Sequence, residues 1–126
     1  MKKIFTDSAP KAIGPYSHAT QTGNLIFCSG QTPLNPVTMQ IEGATASEQT
    51  TLVLNNLETV LKAAGTDRTH ILKTSVFLKN FADFEKMNTA YEAFFGDHKP
   101  ARTTVEVSRL PREALVEIEC VAELKG

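Results

Sequence analysis

The chain has 126 residues and contains no tryptophan and only two cysteines. Cys28 and Cys120 lie far apart and match neither a metal-ligand spacing nor a CxxC motif. We therefore interpret both as reduced residues in the core of a cytosolic protein. No apolar run approaches the roughly 20 residues that a membrane-spanning helix needs. No N-terminal segment has the residue order of a signal peptide, and we expect a cytoplasmic protein.

Familiar catalytic and cofactor-binding motifs are also missing. The sequence has no GxSxG elbow, no HExxH, no P-loop and no GxGxxG. His18, His70 and His98 show no metal-ligand pattern, so the sequence offers neither a metal site nor a cofactor site. A net charge of -1 without a basic run gives no bulk attraction to nucleic acid or to a membrane surface.

The length and composition are those of one folded domain, 1–126. Hydrophobic residues make up 41% of the chain, which is ordinary for a globular protein. A chain of this size buries roughly two-thirds of the surface that it exposes when unfolded, so it can hold a real core. No repeat, low-complexity tract or linker divides it.

The stretch Pro100 to Val121 carries the most informative pattern, and it predicts two strands around a turn. Apolar or small residues alternate with polar ones in both strands, which gives each strand one face for the core and one polar face. We predict that the polar faces together carry Arg102, Thr104, Glu106, Glu117 and Glu119. Because such residues are rarely buried unpaired, this face is either solvated or lines a site or an interface.

The remaining pattern predicts a strand at 4–5, a hairpin of strands 17–22 and 25–29, a loop at 34–43, a helix at 45–64, a strand at 71–78 and a helix at 83–95. Thr45 and Glu48 have the spacing of a capping box, and Gly65 and Gly96 can end the two helices. This order predicts an α/β (α+β) domain with a mixed, roughly six-stranded sheet and both helices on one face. The other face needs a cover, for which closed cyclic assembly is the simplest solution.

Four residues admit more than one interpretation from the pattern alone. Tyr16 follows a Gly-Pro turn and either packs or is displayed beside a groove. Gly30 either ends a strand or lets a backbone N–H approach a ligand closely. Asn88 lies beside the apolar stripe of its helix as a surface residue, a packed hydrogen bonder or a ligand contact. Arg102 either pairs with a glutamate or binds a ligand.

Five segments together resemble the RidA/YjgF family of reactive enamine/imine deaminases. They are IGPYS at 13–17, CSGQ at 28–31, MNTAYEAFF at 87–95, PARTTVEV at 100–107 and VEIECVA at 116–122. The resemblance spans essentially the whole chain in the same order. It implies a chorismate-mutase-like fold and a homotrimer with a central β-barrel and sites between subunits. It also implies hydrolysis of 2-iminobutanoate and 2-iminopropanoate to 2-oxo acids and ammonia.

The resemblance assigns roles to individual residues. Arg102 matches the arginine that holds the substrate carboxylate, and Glu117 matches the acid that holds the attacking water. Residues that match the lining of the cleft are Tyr16, Ser29, Gly30 and Asn88, with a backbone N–H near Thr104. Thr104 stands where the family often has cysteine, and Lys99 stands where phenylalanine is common.

Two other functions stay open beside deamination. Some members of this family are described as ribonucleases or translation inhibitors, although the mildly acidic balance and the 7% aromatic content argue against a nucleic-acid partner. A non-catalytic protein that binds small carboxylates in the same cleft and acts as a regulator is the other alternative.

Overall fold

The computed structural model describes all 126 residues as a six-stranded sheet covered by two α-helices. The strands are β1 (Lys2–Ile4), β2 (Ala19–Thr22), β3 (Leu25–Gln31), β4 (Ile71–Leu78), β5 (Ala101–Glu106) and β6 (Val116–Glu123). The helices are α1 (Ala46–Ala63) and α2 (Phe84–Phe95). The predicted fold class is confirmed, with every predicted element close to its expected bounds. Neither helix is long and apolar enough to cross a membrane.

Helix α1 begins at the capping box that the sequence predicts. The backbone N–H of Glu48 donates to Thr45 Oγ1 at 3.2 Å, while the Thr45 hydroxyl donates to the Glu48 carboxylate. Gly65 adopts a φ of 93° just beyond the helix, a conformation that residues with a Cβ rarely take. The chain can therefore turn sharply from the end of α1 toward β4.

The strand order is β1-β2-β3-β6-β4-β5, so β6 is inserted between β3 and β4. Every pairing is antiparallel except that of β4 with β5, which is parallel because α2 carries the chain back between them. The two strands predicted around a turn in the stretch 100–121 are β5 and β6, but they do not pair with each other. β5 and β6 both border β4 on opposite sides and do not contact each other as a hairpin, and β5 forms the edge of the sheet.

The core lies between one face of the sheet and the two helices. Its fully buried side chains include Leu54, Leu57 and Leu61 of α1, Met87 of α2 and Ile118 of β6. Cys28 and Cys120 are buried opposite each other on β3 and β6 and carry no disulfide. The helices leave the other face of the sheet, here called the outer face, uncovered within the chain.

The predicted polar face is only partly correct. Glu117 and Glu119 lie on the outer face, because Val116, Ile118 and Cys120 of the same strand are buried in the core. Arg102 pairs in register with Thr74, and Thr74 pairs with Cys120, so Arg102 lies on the helix-covered face.

Thr104 and Glu106 follow the same parity as Arg102, while Val105 lies on the outer face and is 40% exposed. At this edge strand the core-facing positions are the polar ones. The apolar alternation in β5 therefore predicted the wrong side for each of its residues.

Candidate active site

The Arg102 guanidinium packs on the rings of Tyr91 and Phe84 in α2, which are together called the aromatic seat. It lies 4.8 Å from the ring centroid of Tyr91 and 5.6 Å from that of Phe84, both cation–π distances. The Met87 sulfur is 4.0 Å from one guanidinium nitrogen. A hydrogen bond of 2.7 Å between the hydroxyls of Thr74 and Tyr91 fixes the aromatic seat. Arg102 makes no ion pair within the chain, so its charge is half-buried and unneutralised.

A concavity of about 250 Å³ opens beside Arg102, between the end of α2 and the start of β5. Asn88 lines it together with Glu92, His98 and Lys99. His98 is held in place by donating from Nε2 to the Ile71 carbonyl at 2.7 Å. We call these residues and Arg102 the arginine half-site.

Thr104 lies two residues further along β5, on the same face as Arg102. Its Oγ1 is buried and has no hydrogen-bond partner in the chain. Buried hydroxyls are usually paired, because an unpaired one loses its hydration without compensation. The hydroxyl at this position is therefore available for a group that the single chain does not supply.

Glu117 lies on the outer face with its side chain across the backbone of Gly30. A Cβ built on Gly30 would lie 3.0 Å from Glu117 Oε1 and 3.1 Å from its Cδ, closer than ordinary contact. A side chain at position 30 would therefore displace the carboxyl group of Glu117 from its place over the backbone. Burial raises the pKa of Glu117, and the negative charge of Glu119 raises it further.

A second concavity of about 620 Å³ contains Glu117 and is lined by Tyr16, Ser29, Gly30, Glu119 and Lys11. The Ser29 hydroxyl is committed to the fold, since it donates to the Ser17 carbonyl at 2.7 Å. Tyr16 is 48% exposed over this concavity, which favours display beside a groove over packing in the core. We call these residues and Glu117 the glutamate half-site.

The two half-sites lie on opposite faces of one sheet. Arg102 is in register with Thr74, which is buried on the helix-covered face, whereas Glu117 is in register with Phe77, which lies on the outer face. The sheet itself therefore separates the guanidinium from the carboxyl group within a chain. A ligand that contacts both groups needs them from two different copies of the protein.

The sequence profile of the Endoribonuclease L-PSP family, which is the RidA/YjgF family, matches residues 6–124. The chain belongs to this family. A RutC family protein from Pyrococcus horikoshii is 49% identical over 119 residues, which are 94% of each chain. The 2-iminobutanoate/2-iminopropanoate deaminase of Escherichia coli is 44% identical over 124 residues, or 96% of each chain.

Solved structures of the RidA/YjgF family superpose on the whole chain. The yjgF gene product from E. coli has a TM-score of 0.94 at 43% identity, covering 99% of this chain and 100% of its own. TdcF from E. coli, solved with bound serine, has a TM-score of 0.93 at 38% identity with the same coverage. The fold and the family identified from the five sequence segments are thereby confirmed.

The sequence did not single out several residues that shape the two half-sites. Tyr91 and Phe84 belong to the apolar stripe of α2, whose spacing predicts core residues, and they also contact the guanidinium of Arg102. Lys11 belongs to an irregular segment with no periodicity, so no pattern could place it beside Glu117. Neither an arginine two residues after a proline nor an aromatic-rich helix is unusual by itself. The parallel crossover from β4 through α2 to β5 brings the two together.

Proposed function

We propose that this RidA/YjgF protein hydrolyses 2-imino acids such as 2-iminobutanoate and 2-iminopropanoate to 2-oxo acids and ammonia. The observation that carries the proposal is the complementary pair of half-sites. One offers an unpaired cation on an aromatic seat, and the other offers a carboxyl group of raised pKa. Arg102 and Glu117 meet when a second copy docks its outer face against the β5 edge.

Arg102 suits the acidic end of a 2-imino acid. Its planar guanidinium can donate two parallel hydrogen bonds to a carboxylate and remains charged at every physiological pH. Packing on Tyr91 and Phe84 limits its rotamers, so little side-chain entropy is lost when it binds. Asn88 and the backbone near Gly30 and Thr104 supply further hydrogen-bonding groups around the bound carboxylate.

Glu117 suits the hydrolytic end. As a carboxylate it orients a water and takes one of its protons while the water oxygen bonds to C2 of the protonated imine. The C=N π electrons move to nitrogen, and Glu117 then returns the proton to that nitrogen. In the collapse of the tetrahedral intermediate the Glu117 carboxylate takes the hydroxyl proton, the C=O bond forms and the C–N bond breaks, which releases the 2-oxo acid and ammonia, and ammonia then takes this proton from Glu117. A raised pKa suits a group that must both accept and return a proton near neutral pH.

A homotrimer is the assembly that we propose for bringing the half-sites together. Phe27 and Val105 on the outer face are 44% and 40% exposed in the isolated chain, which leaves apolar surface to be covered. The β5 edge also leaves backbone hydrogen-bonding groups unpaired on its free side. A closed ring of three chains covers these surfaces, with outer faces forming a central barrel and one composite site at each boundary.

A coupled assay tests the activity. A pyridoxal-phosphate dehydratase generates the imino acid in place, and release of the 2-oxo acid is timed with and without this protein. We expect acceleration that scales with the protein concentration. Release at the uncatalysed rate with a folded oligomer would rule out the proposed deaminase.

The charge of Glu119 gives a pH prediction. Replacing Glu119 with glutamine removes the negative neighbour that helps to raise the pKa of Glu117. The carboxylate of Glu117 then persists to lower pH, so the acid limb of the kcat profile should move to lower pH. Glu123→Gln on the same strand and face is the matched control, since position 123 lies about 20 Å from Glu117 along the strand. Equal acid limbs in all three proteins would contradict the assignment of Glu117 as the base.

An RNA-directed activity is less well supported by the site. The glutamate half-site holds two carboxylates against two cations, Lys11 and Arg112, so it offers no net positive surface to phosphates. Binding of single-stranded RNA across a salt series distinguishes this alternative. We expect weak binding, whereas tight binding with a steep salt dependence would favour a nucleic-acid function.

A further inference from the structure

His18 is a buried histidine that belongs neither to the hydrophobic core nor to the residues of the proposed reaction. Only 4% of its surface is exposed, and the edge of its ring faces Phe5 with centroids 6.1 Å apart. It stands just before β2, beneath an N-terminal segment that has no regular secondary structure from Phe5 to His18. Its two ring nitrogens make the side-chain contacts that tie this segment to the sheet.

The hydrogen-bond partners assign the proton on the ring. The Thr6 backbone N–H is only a donor and lies 3.3 Å from Nδ1, so Nδ1 is the unprotonated acceptor. The Pro10 carbonyl is only an acceptor and lies 2.7 Å from Nε2, so Nε2 carries the hydrogen. Both contacts therefore require the neutral Nε2–H tautomer. A second proton on Nδ1 would point at the Thr6 N–H and break that contact.

The segment tied down by His18 supplies one wall of the glutamate half-site. His18 fastens its beginning at Thr6 and Pro10, and Ser29 fastens its end by donating to the Ser17 carbonyl. Lys11 and Tyr16 lie between the two fastenings and line the concavity that contains Glu117. Between these fastenings Ala9 packs into the core with 1% of its surface exposed, and the Tyr16 N–H donates to the Gly14 carbonyl in a tight turn, while residues 11–16 make no hydrogen bond to the sheet.

We infer that His18 is a positioning residue, whose neutral ring holds the segment 6–17 so that Tyr16 stands over the glutamate half-site and whose protonation releases it. Its effect on turnover rests on the proposed function, but its effect on the segment does not.

No other ionisable group near the His18 ring hydrogen-bonds or ion-pairs with it. The elements packed against His18 carry Lys2, Lys3, Asp7 and Lys11 on the N-terminal segment and Cys28 on β3. None of them forms a hydrogen bond or an ion pair with the ring. An acid-dependent release of the segment therefore reports on His18, and glutamine at this position provides a sharp test. The amide of glutamine can accept from an N–H and donate to a carbonyl without titrating.

Hydrogen exchange of the full-length oligomer measures the segment without any turnover. We expect the protection factors of the Thr6, Ser8 and Tyr16 amides, the hydrogen-bonded ones of this stretch, to fall about fivefold between pH 7.5 and 5.5 after correction for intrinsic rates, as expected when one ordinary hydrogen bond is lost. His18→Gln should keep these amides protected at both pH values, and His18→Ala should leave them open at both. His70→Gln, on a distant histidine, should behave like the unsubstituted protein. ¹⁵N chemical shifts should report the Nε2–H tautomer at pH 7.5.

Turnover supplies the second readout. On acidification the unsubstituted protein should show a rising KM that His18→Gln lacks, while the change in kcat, which follows Glu117, is the same in both. Equal protection at the two pH values in the unsubstituted protein, or an Nδ1–H tautomer, would overturn the inference. If no variant hydrolyses an imino acid, the proposed function fails, and the exchange data alone still decide the role of His18.

Discussion

Replacing Arg102 with lysine should raise the KM for 2-iminopropanoate by about 10- to 100-fold, because a lysine keeps the charge but loses the bidentate hydrogen bonds. Arg102→Met, which removes the charge as well, should raise the KM further. In both variants kcat should change less than KM, since the carboxylate is bound in the ground state as well as in the transition state. Steady-state kinetics in the dehydratase-coupled assay measure both constants.

Arg109→Lys is the matched control for the arginine substitutions. Arg109 is 85% exposed and only touches Glu113 at 3.9 Å, so its replacement should leave the KM unchanged. Titration of the product 2-oxo acid by calorimetry separates binding from turnover. A KM and a 2-oxo acid affinity within about twofold of the unsubstituted protein would rule out Arg102 as the carboxylate ligand.

Replacing Glu117 with glutamine should lower kcat by about 10²- to 10⁴-fold, the usual contribution of a positioned general base. Glutamine has nearly the same shape, so Gly30 should still accommodate the side chain and the 2-oxo acid should still bind. The variant thus distinguishes an enzyme from a regulatory protein that binds carboxylates without turnover. In a regulatory protein there is no turnover to lose, and only ligand binding remains.

Glu123→Gln serves again as the control, since it removes a carboxylate from the same strand and face as Glu117. It should leave kcat close to that of the unsubstituted protein. A Glu117→Gln variant that kept more than about half of the unsubstituted kcat would exclude Glu117 as the base.

The helices and the succession of elements along the chain could be predicted because local chemistry decides them. The apolar spacing of three and four residues, the Thr45 capping box and the glycines at 65 and 96 act over one or two turns. The spatial order of the strands in the sheet could not be predicted in this way. Nothing local tells β6 to insert between β3 and β4, because strand pairing depends on contacts between residues distant in sequence.

The wrong face for Arg102 has a physical cause. In β6 the apolar residues are large and buried on one side, so alternation identifies the core-facing parity. The edge strand β5 has no such row of large buried apolar residues, but small threonines and one exposed valine. Its helix-facing position 102 holds an arginine that packs on the ring of Tyr91. Polarity therefore indicated a functional residue at this position but not the face on which it lies.

The proposed site illustrates a further limit. The resemblance to the family assigned a role to seven residues, and the fold divides them between two places. The helix-covered side of the sheet holds Arg102, Asn88 and Thr104, and the glutamate half-site holds Tyr16, Ser29, Gly30 and Glu117. Sequence patterns within one chain cannot reveal that a site is completed by another copy. The proposal that another copy completes the site rests on the sheet that separates Arg102 from Glu117 within one chain.

Mixed oligomers test most directly whether each site is shared between two chains. Arg102→Met and Glu117→Gln chains are unfolded, combined in equal amounts and refolded, and native mass spectrometry verifies that the chains have mixed. Activity is measured at a substrate concentration well below the raised KM of Arg102→Met, where both parent variants are nearly inactive. If each site takes Arg102 from one chain and Glu117 from its neighbour, random mixing should restore about one quarter of the sites of unsubstituted protein refolded in the same way. Activity that stays at the level of the two parent variants, in oligomers shown to be mixed, would mean that both residues serve one site within a single chain.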